Sequence, residues 1–238
     1  MTEPDVNACC FDVFGTVVDW RSGVIRDGRA IGAEYDLAVD WAAVADAWRR
    51  AYPAMMNRVR EGELPWTTVD DLHRMALDDV LEDHGAGDLP SDARDQLNRA
   101  WHRLDPWPDV IPGLRRLRQE YFVATLSNGN VRLLANMAKR AGLPWDLVLS
   151  AELARHYKTD TEAYAKAVEL LDEDPEDVLM VACHPVDLRG AAAAGLRTAY
   201  IHRPDEWGPD ADPGEPPDAE EVDFLVADLE DLATQLGV

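Results

Sequence analysis

Lysine is almost missing from this chain: Lys139, Lys158 and Lys166 are the whole complement among 238 residues. Arginine supplies nearly all the positive charge, and 46 acidic residues against 23 basic ones leave a formal charge of −23. Such a surface repels nucleic acid and anionic membranes, so neither is expected as a partner. Cysteine is equally scarce. Cys9 and Cys10 are neighbours in an apolar run, where successive strand side chains face opposite ways, and Cys183 is distant, so no disulfide framework is implied. No apolar stretch approaches the length of a membrane span, and the opening Met1-Thr2-Glu3-Pro4-Asp5 does not resemble a signal peptide. A reduced, cytoplasmic protein is expected. Abundant aspartate with scarce lysine fits a salt-rich host, where screening relieves the self-repulsion. A GC-rich genome would explain arginine in place of lysine, but not the acid excess.

Of the residues present, 47% are hydrophobic, so a packed core is expected and disorder is not. The length suits one sizeable α/β domain or a core carrying a smaller insertion. The β-favouring run Ala8-Cys9-Cys10-Phe11 delivers Asp12 to a Gly15-Thr16 turn, at the strand end where open α/β sheets bind ligands. After Asp19 the pattern turns helical. Trp41 to Trp48 and Val69 to Leu77 place apolar residues three and four apart, with Gly62, Pro65 and Gly85-Ala86-Gly87 as breaks. Asp105-Pro106-Trp107-Pro108 reads as the return. Strands are then expected at 122–126, 147–149, 178–182, 198–201 and 224–226, with helices at 131–141, 161–171 and 187–194 between them. The acidic, proline-rich stretch from Pro204 to Glu221 is expected to be a surface loop. Near-continuous apolar strands separated by helices imply an α/β fold with a doubly wound parallel sheet. Residues 1–19 and 106–238 would form that core, with 20–105 an all-helical cap domain inserted after the first strand.

Four polar clusters fall at or just past strand ends: Asp12 with Thr16, Ser127 with Asn128, Lys158 with Tyr164, and His184 with Asp187. A parallel sheet gathers such ends onto one edge. The order and spacing of Phe11-Asp12-Val13-Phe14-Gly15-Thr16, Leu126-Ser127-Asn128-Gly129, Tyr157-Lys158 through Tyr164, and Ala182-Cys183-His184 through Asp187 resembles the haloacid dehalogenase superfamily. Within it, the resemblance is to the type II, or L-2-haloacid, dehalogenases. It implies that Asp12 attacks the halogen-bearing carbon of a small 2-haloalkanoic acid, giving an aspartyl ester that water cleaves to a 2-hydroxy acid. It further implies that Lys158 keeps Asp12 ionised, that Asp187 positions Lys158 and the water, and that Tyr164 lies beside the site. Ser127, Asn128 and Thr16 would bind the substrate or orient the nucleophile, and Arg49 in the pair Trp48-Arg49 would cradle the halide.

Each of these residues also has a plainer reading. Asp12 and Thr16 could cap a turn, and Ser127-Asn128-Gly129 is ordinary turn chemistry. Lys158 could be a surface cation at a helix start, and Tyr164 could be core packing. Arg49 could be solvated, with Arg50 or Arg58 in its place.

Two departures bear on the chemistry. Phe14 stands where superfamily phosphatases carry a second aspartate as general acid. Expelling halide needs no leaving-group proton, whereas expelling an alkoxide does. The fourth motif offers Ala182-Cys183-His184 ahead of Asp187, a poor set for magnesium, which prefers oxygen ligands. No metal and no cofactor are therefore expected. His184 occupies the position of an asparagine in the best-known dehalogenases. It would either orient or deprotonate the hydrolytic water or only narrow the pocket, favouring two- or three-carbon acids. The expected partners are a halogenated carboxylic acid and water. A homodimer is common in the family, but no exposed apolar stripe marks an interface. The alternatives are a hydrolase of a strained-ring carboxylate, a magnesium-dependent phosphatase, and a binding protein on a degenerate fold.

Overall fold

The apolar run near the start of the chain becomes the middle of a sheet. The computed structural model describes residues 6–212 and 214–238. Its main sheet comprises β1 (Ala8–Phe11), β2 (Phe122–Ser127), β3 (Leu147–Ser150), β4 (Val178–Ala182), β5 (Arg197–Ile201) and β6 (Phe224–Val226). These lie in the order 3-2-1-4-5-6, and every pairing is parallel. The fold is thus the doubly wound α/β sheet expected. β1 and β4 are buried along their whole length, with no polar alternation, because helices cover both faces. The strand order reverses between β1 and β4, and that switch point is where open sheets take ligands.

Two compact units are resolved by their internal contacts. One holds the chain up to Asp19 and from Pro106 onward; the other is Trp20–Asp105. In the sheet-bearing unit, the helix Val131–Ala141 ends as its glycine suggests, with Gly142 at φ +71°. The helix after β4 runs Pro185–Ala193, two residues earlier than the expected start at Asp187. Proline is pre-set for the first helical position and lacks only an N–H that would have no helical partner. Helices at Val110–Leu117 and Leu229–Gln235 were not apparent in the sequence. Pro112-Gly113 reads as a breaker, yet a proline in the first turn sacrifices no helical hydrogen bond. The described residues from Pro204 to Glu221 are mostly exposed, with a correction to the surface-loop expectation: Glu206 and Gly208 are buried. All three cysteines are free and buried, and burial pushes the Cys10 thiol up to about 12.

The helical unit contains Trp20–Glu34, Trp41–Arg60, Val69–Asp83, Ser91–Asn98 and the 3-10 turn Arg99–Arg103. Asp40 caps the second of these, accepting from the amides of Ala42 and Ala43. Trp20, Trp48 and Trp101 are fully buried in this unit, and His73 is buried against the latter two. The His73 ring stacks on Trp101 with centroids 4.3 Å apart and meets Trp48 edge-on at 5.8 Å. Neither ring nitrogen of His73 has a hydrogen-bond partner among the described residues. Burial, aided by the charge of Arg49, pushes His73 down to about 3, so the ring is neutral. No helix among the described residues is long and apolar enough to cross a membrane.

Candidate active site

The Asp12 amide donates to the Val181 carbonyl at 3.0 Å, which carries the β1 backbone one residue past the strand. The chain then turns through Gly15, whose φ of +91° lies in the left-handed region. This turn leaves the Asp12 carboxylate at the switch point, 7% exposed and surrounded by donors. Lys158 Nζ donates to Asp12 Oδ1 at 3.0 Å and also to Asp187 Oδ2. The Thr16 hydroxyl donates to Asp12 Oδ2 at 2.9 Å and accepts from the Cys183 amide at 3.0 Å. His184 Nδ1 lies 3.2 Å from the same Asp12 Oδ2. The Tyr164 hydroxyl donates to Asp187 Oδ1 at 2.6 Å, while its ring packs in the core with Cys10, Leu126 and Met180. Core packing and a site contact coexist in that one side chain.

Electrostatics follow from this crowding. Burial alone would raise the Asp12 carboxyl, but the Lys158 ammonium and the His184 hydrogen bond outweigh it and hold the group well below the usual carboxylate range. Burial would lower Lys158, yet Asp12 and Asp187 together hold it above its ordinary value. Asp187 is raised, by burial first, with the Asp12 charge adding to it against the pull of Lys158. Burial and the adjacent Asp187 push Tyr164 up, so it remains a donor. For His184, burial is outweighed by Cys183, Asp12 and Glu206, leaving the imidazole well above its ordinary value.

The structure gathers Asp12, Thr16, Lys158, Tyr164, His184 and Asp187 into one bonded cluster. Ser127 and Asn128 lie at the end of β2 beside it. The Asn128 side chain is spent on main chain: its Oδ1 accepts from the Lys158 amide at 2.7 Å, and its Nδ2 donates to the Lys158 carbonyl at 3.4 Å. In this arrangement Asn128 positions the lysine. Ser127 Oγ accepts from the Gly129 amide at 3.2 Å. Arg49 is in the helical unit, with its guanidinium over the rings of Trp20 and Tyr52 at 5.6 and 5.4 Å.

One residue of the cluster was missed in the sequence. Both Glu206 carboxylate oxygens lie 3.1 Å from His184 Nε2. Nothing local marks it out, since it is one acid among many in a proline-rich loop. The arginine just ahead of that loop, Arg203, is the only available hint.

The magnesium that superfamily phosphatases hold does not fit this donor set. Lys158 Nζ already bridges Asp12 and Asp187, and the fourth-motif side chains ahead of Asp187 are a thiol and an imidazole where carboxylates would be wanted. Cys183, His184 and Glu206 are near enough to share an ion, within 4.8 Å of one another. However, His184 and Glu206 are hydrogen-bonded to each other, and nothing assigns them to a metal.

A carboxylate at the first strand's end, held by a buried lysine at the switch point of a doubly wound sheet, marks the candidate site of an α/β enzyme. The sequence profile of the haloacid dehalogenase-like hydrolases matches residues 6–195, and the chain belongs to that family. (S)-2-haloacid dehalogenase 4A of Burkholderia cepacia is 31% identical over 205 residues, covering 83% of this chain and 84% of that protein. Among solved structures, a defluorinating L-2-haloacid dehalogenase superposes with a TM-score of 0.93 at 43% identity, covering 98% of this chain and 96% of its own. The L-2-haloacid dehalogenase from Xanthobacter autotrophicus with chloropropionic acid covalently bound gives 0.79 at 26% identity, over 96% and 97%.

Proposed function

We propose that this chain hydrolyses the carbon–halogen bond of small 2-haloalkanoic acids, giving a 2-hydroxy acid and halide through an ester on Asp12. The observation that carries this reading is the buried Asp12–Lys158–Asp187 cluster, with Phe14 rather than an acid two residues on. The ammonium keeps Asp12 ionised without a divalent cation, and a departing halide needs no proton. The relatives named above are 2-haloacid dehalogenases, and one carries chloropropionic acid covalently bound, which supports the ester route.

Asp12 displaces halide from the halogen-bearing carbon. Ser127 and the main-chain amides following β2 hold the substrate carboxylate, and Thr16 orients the nucleophile. Water then attacks the ester carbonyl, oriented by His184 and by Asp187, which Tyr164 and Lys158 hold in place. The three free thiols support a reducing, cytoplasmic setting.

Halide release from chloroacetate, followed by ion chromatography with a chelator present, tests this reading. The parent protein is expected to release halide and the Asp12→Asn variant to release none. Activity that requires magnesium, or an Asp12→Asn variant as fast as the parent, would refute it.

A further inference from the structure

Glu206 belongs to an exposed acidic loop, yet it is only 6% exposed itself. Its placement is built from several directions. Arg203, three residues earlier, donates from Nε to the Thr16 carbonyl at 2.9 Å and grips both oxygens of Asp109 at 2.8 and 2.7 Å. A tight turn, Glu206 amide to Arg203 carbonyl at 3.2 Å, then swings the carboxylate inward. Gly15 leaves the space, since a Cβ there would stand 2.3 Å from Glu206 Oε1. The loop is thereby fastened to the turn that carries Asp12. The result is a continuous line: Asp12 Oδ2, His184 Nδ1 at 3.2 Å, then His184 Nε2 and Glu206 at 3.1 Å.

We propose that Glu206 is a positioning residue for the second half of the reaction, holding the Nε2 proton of His184 so that Nδ1 faces the ester carbonyl that water attacks. The proposal rests on the dehalogenase reading of Asp12. In the free enzyme the Asp12 carboxylate is the partner of Nδ1–H. Once Asp12 is an ester it carries no charge, Nδ1 releases its proton to solvent, and Nε2–H stays with Glu206. Water's oxygen then bonds to the Asp12 carbonyl carbon and the bond from that carbon to the substrate-linked oxygen breaks. One water proton ends on Nδ1 and the other on the product hydroxyl. This is the role a buried carboxylate plays behind a catalytic histidine, fixing its tautomer and orientation.

The test separates the two half-reactions in Glu206→Gln, Glu206→Ala, His184→Ala and the double variant His184→Ala/Glu206→Ala. Chloroacetate is mixed in single turnover, halide is measured after rapid quench, and the ester on Asp12 is followed by intact-protein mass. Halide formation in Glu206→Ala is expected at the parent rate, with ester decay slowed on the order of 100-fold, the lower range for loss of general-base assistance. Glu206→Gln, which keeps an acceptor, should lose less, and a thermal melt near that of the parent shows it folded. The double variant should be no slower than His184→Ala, because the pair acts as a unit. Ester decay at the parent rate in Glu206→Ala, equal slowing of both steps, or additive losses in the double variant would overturn the proposal. If no ester forms in any variant or in the parent, the reading of Asp12 fails with it. If one of those overturning results appears while the parent forms the ester normally, only the role of Glu206 is lost.

Discussion

Replacing His73 with leucine is expected to stabilise the helical unit, and by more in acid than at neutral pH. The neutral ring packs against Trp48, Tyr52 and Trp101 with neither nitrogen hydrogen-bonded, and its pKa is pushed down to about 3. In the unfolded chain a histidine titrates near about 6.5. Between those two values the unfolded chain binds a proton that the folded chain refuses. A depressed histidine therefore withdraws stability as pH falls through about 6.5, and the loss deepens toward pH 3. At about pH 5 the penalty is about 2 kcal/mol, from roughly 1.5 pH units at about 1.36 kcal/mol each. Leucine has no such linkage. It also removes two orphaned nitrogens, worth about 1–3 kcal/mol, against about 0.5–1.5 kcal/mol for the lost aromatic contact with Trp101. Urea unfolding of parent and variant, followed by tryptophan fluorescence at about pH 5 and about pH 7.5, reads the difference directly. A parent-to-variant gap that is the same at both pH values would refute the reasoning.

Lys158→Met leaves the carboxylates of Asp12 and Asp187 buried without their shared cation. Chemical unfolding at neutral pH should show a loss of about 3–5 kcal/mol, shrinking in acid as one carboxylate takes up a proton. Tyr164→Phe deprives Asp187 Oδ1 of its donor, and the same assay should show a loss of about 1–3 kcal/mol. Asp40→Ala removes the cap of the helix Trp41–Arg60 and should cost about 1 kcal/mol by thermal or urea unfolding. A formal charge of −23 predicts that raising salt from about 0.1 M to about 1 M increases the unfolding midpoint, as screening contracts from about 10 Å to about 3 Å. A falling midpoint would mean that local ion pairs outweigh the collective repulsion.

What could be read in the sequence was whatever neighbouring residues decide among themselves. β4 and the helices 131–141 and 161–171 fall at the expected residues, because an apolar run or a three-four spacing bounded by glycine or proline is a local signal. The helix Val110–Leu117 was hidden by a proline whose harmlessness depends on its place within the first turn. The site divides in the same way. Asp12, Lys158, His184 and Asp187 announce themselves through motifs at strand ends. Glu206 reaches His184 only because Arg203 is fastened to Thr16 and Asp109 and because Gly15 lacks a side chain, which are pairings distant along the chain. The Asn128 contacts with the Lys158 main chain are likewise a tertiary event.

The placement of β1 dictates an order of events during synthesis. It emerges early, yet both of its partners, β2 and β4, lie beyond the entire helical unit. A growing chain can fold Trp20–Asp105 around its tryptophans while the strand bearing Asp12 still lacks neighbours. The ammonium of Lys158 arrives later again, and the anchor at Arg203 after that. The Asp12 cluster therefore cannot close until the chain is made past Glu206, long after the residues of the helical unit have emerged.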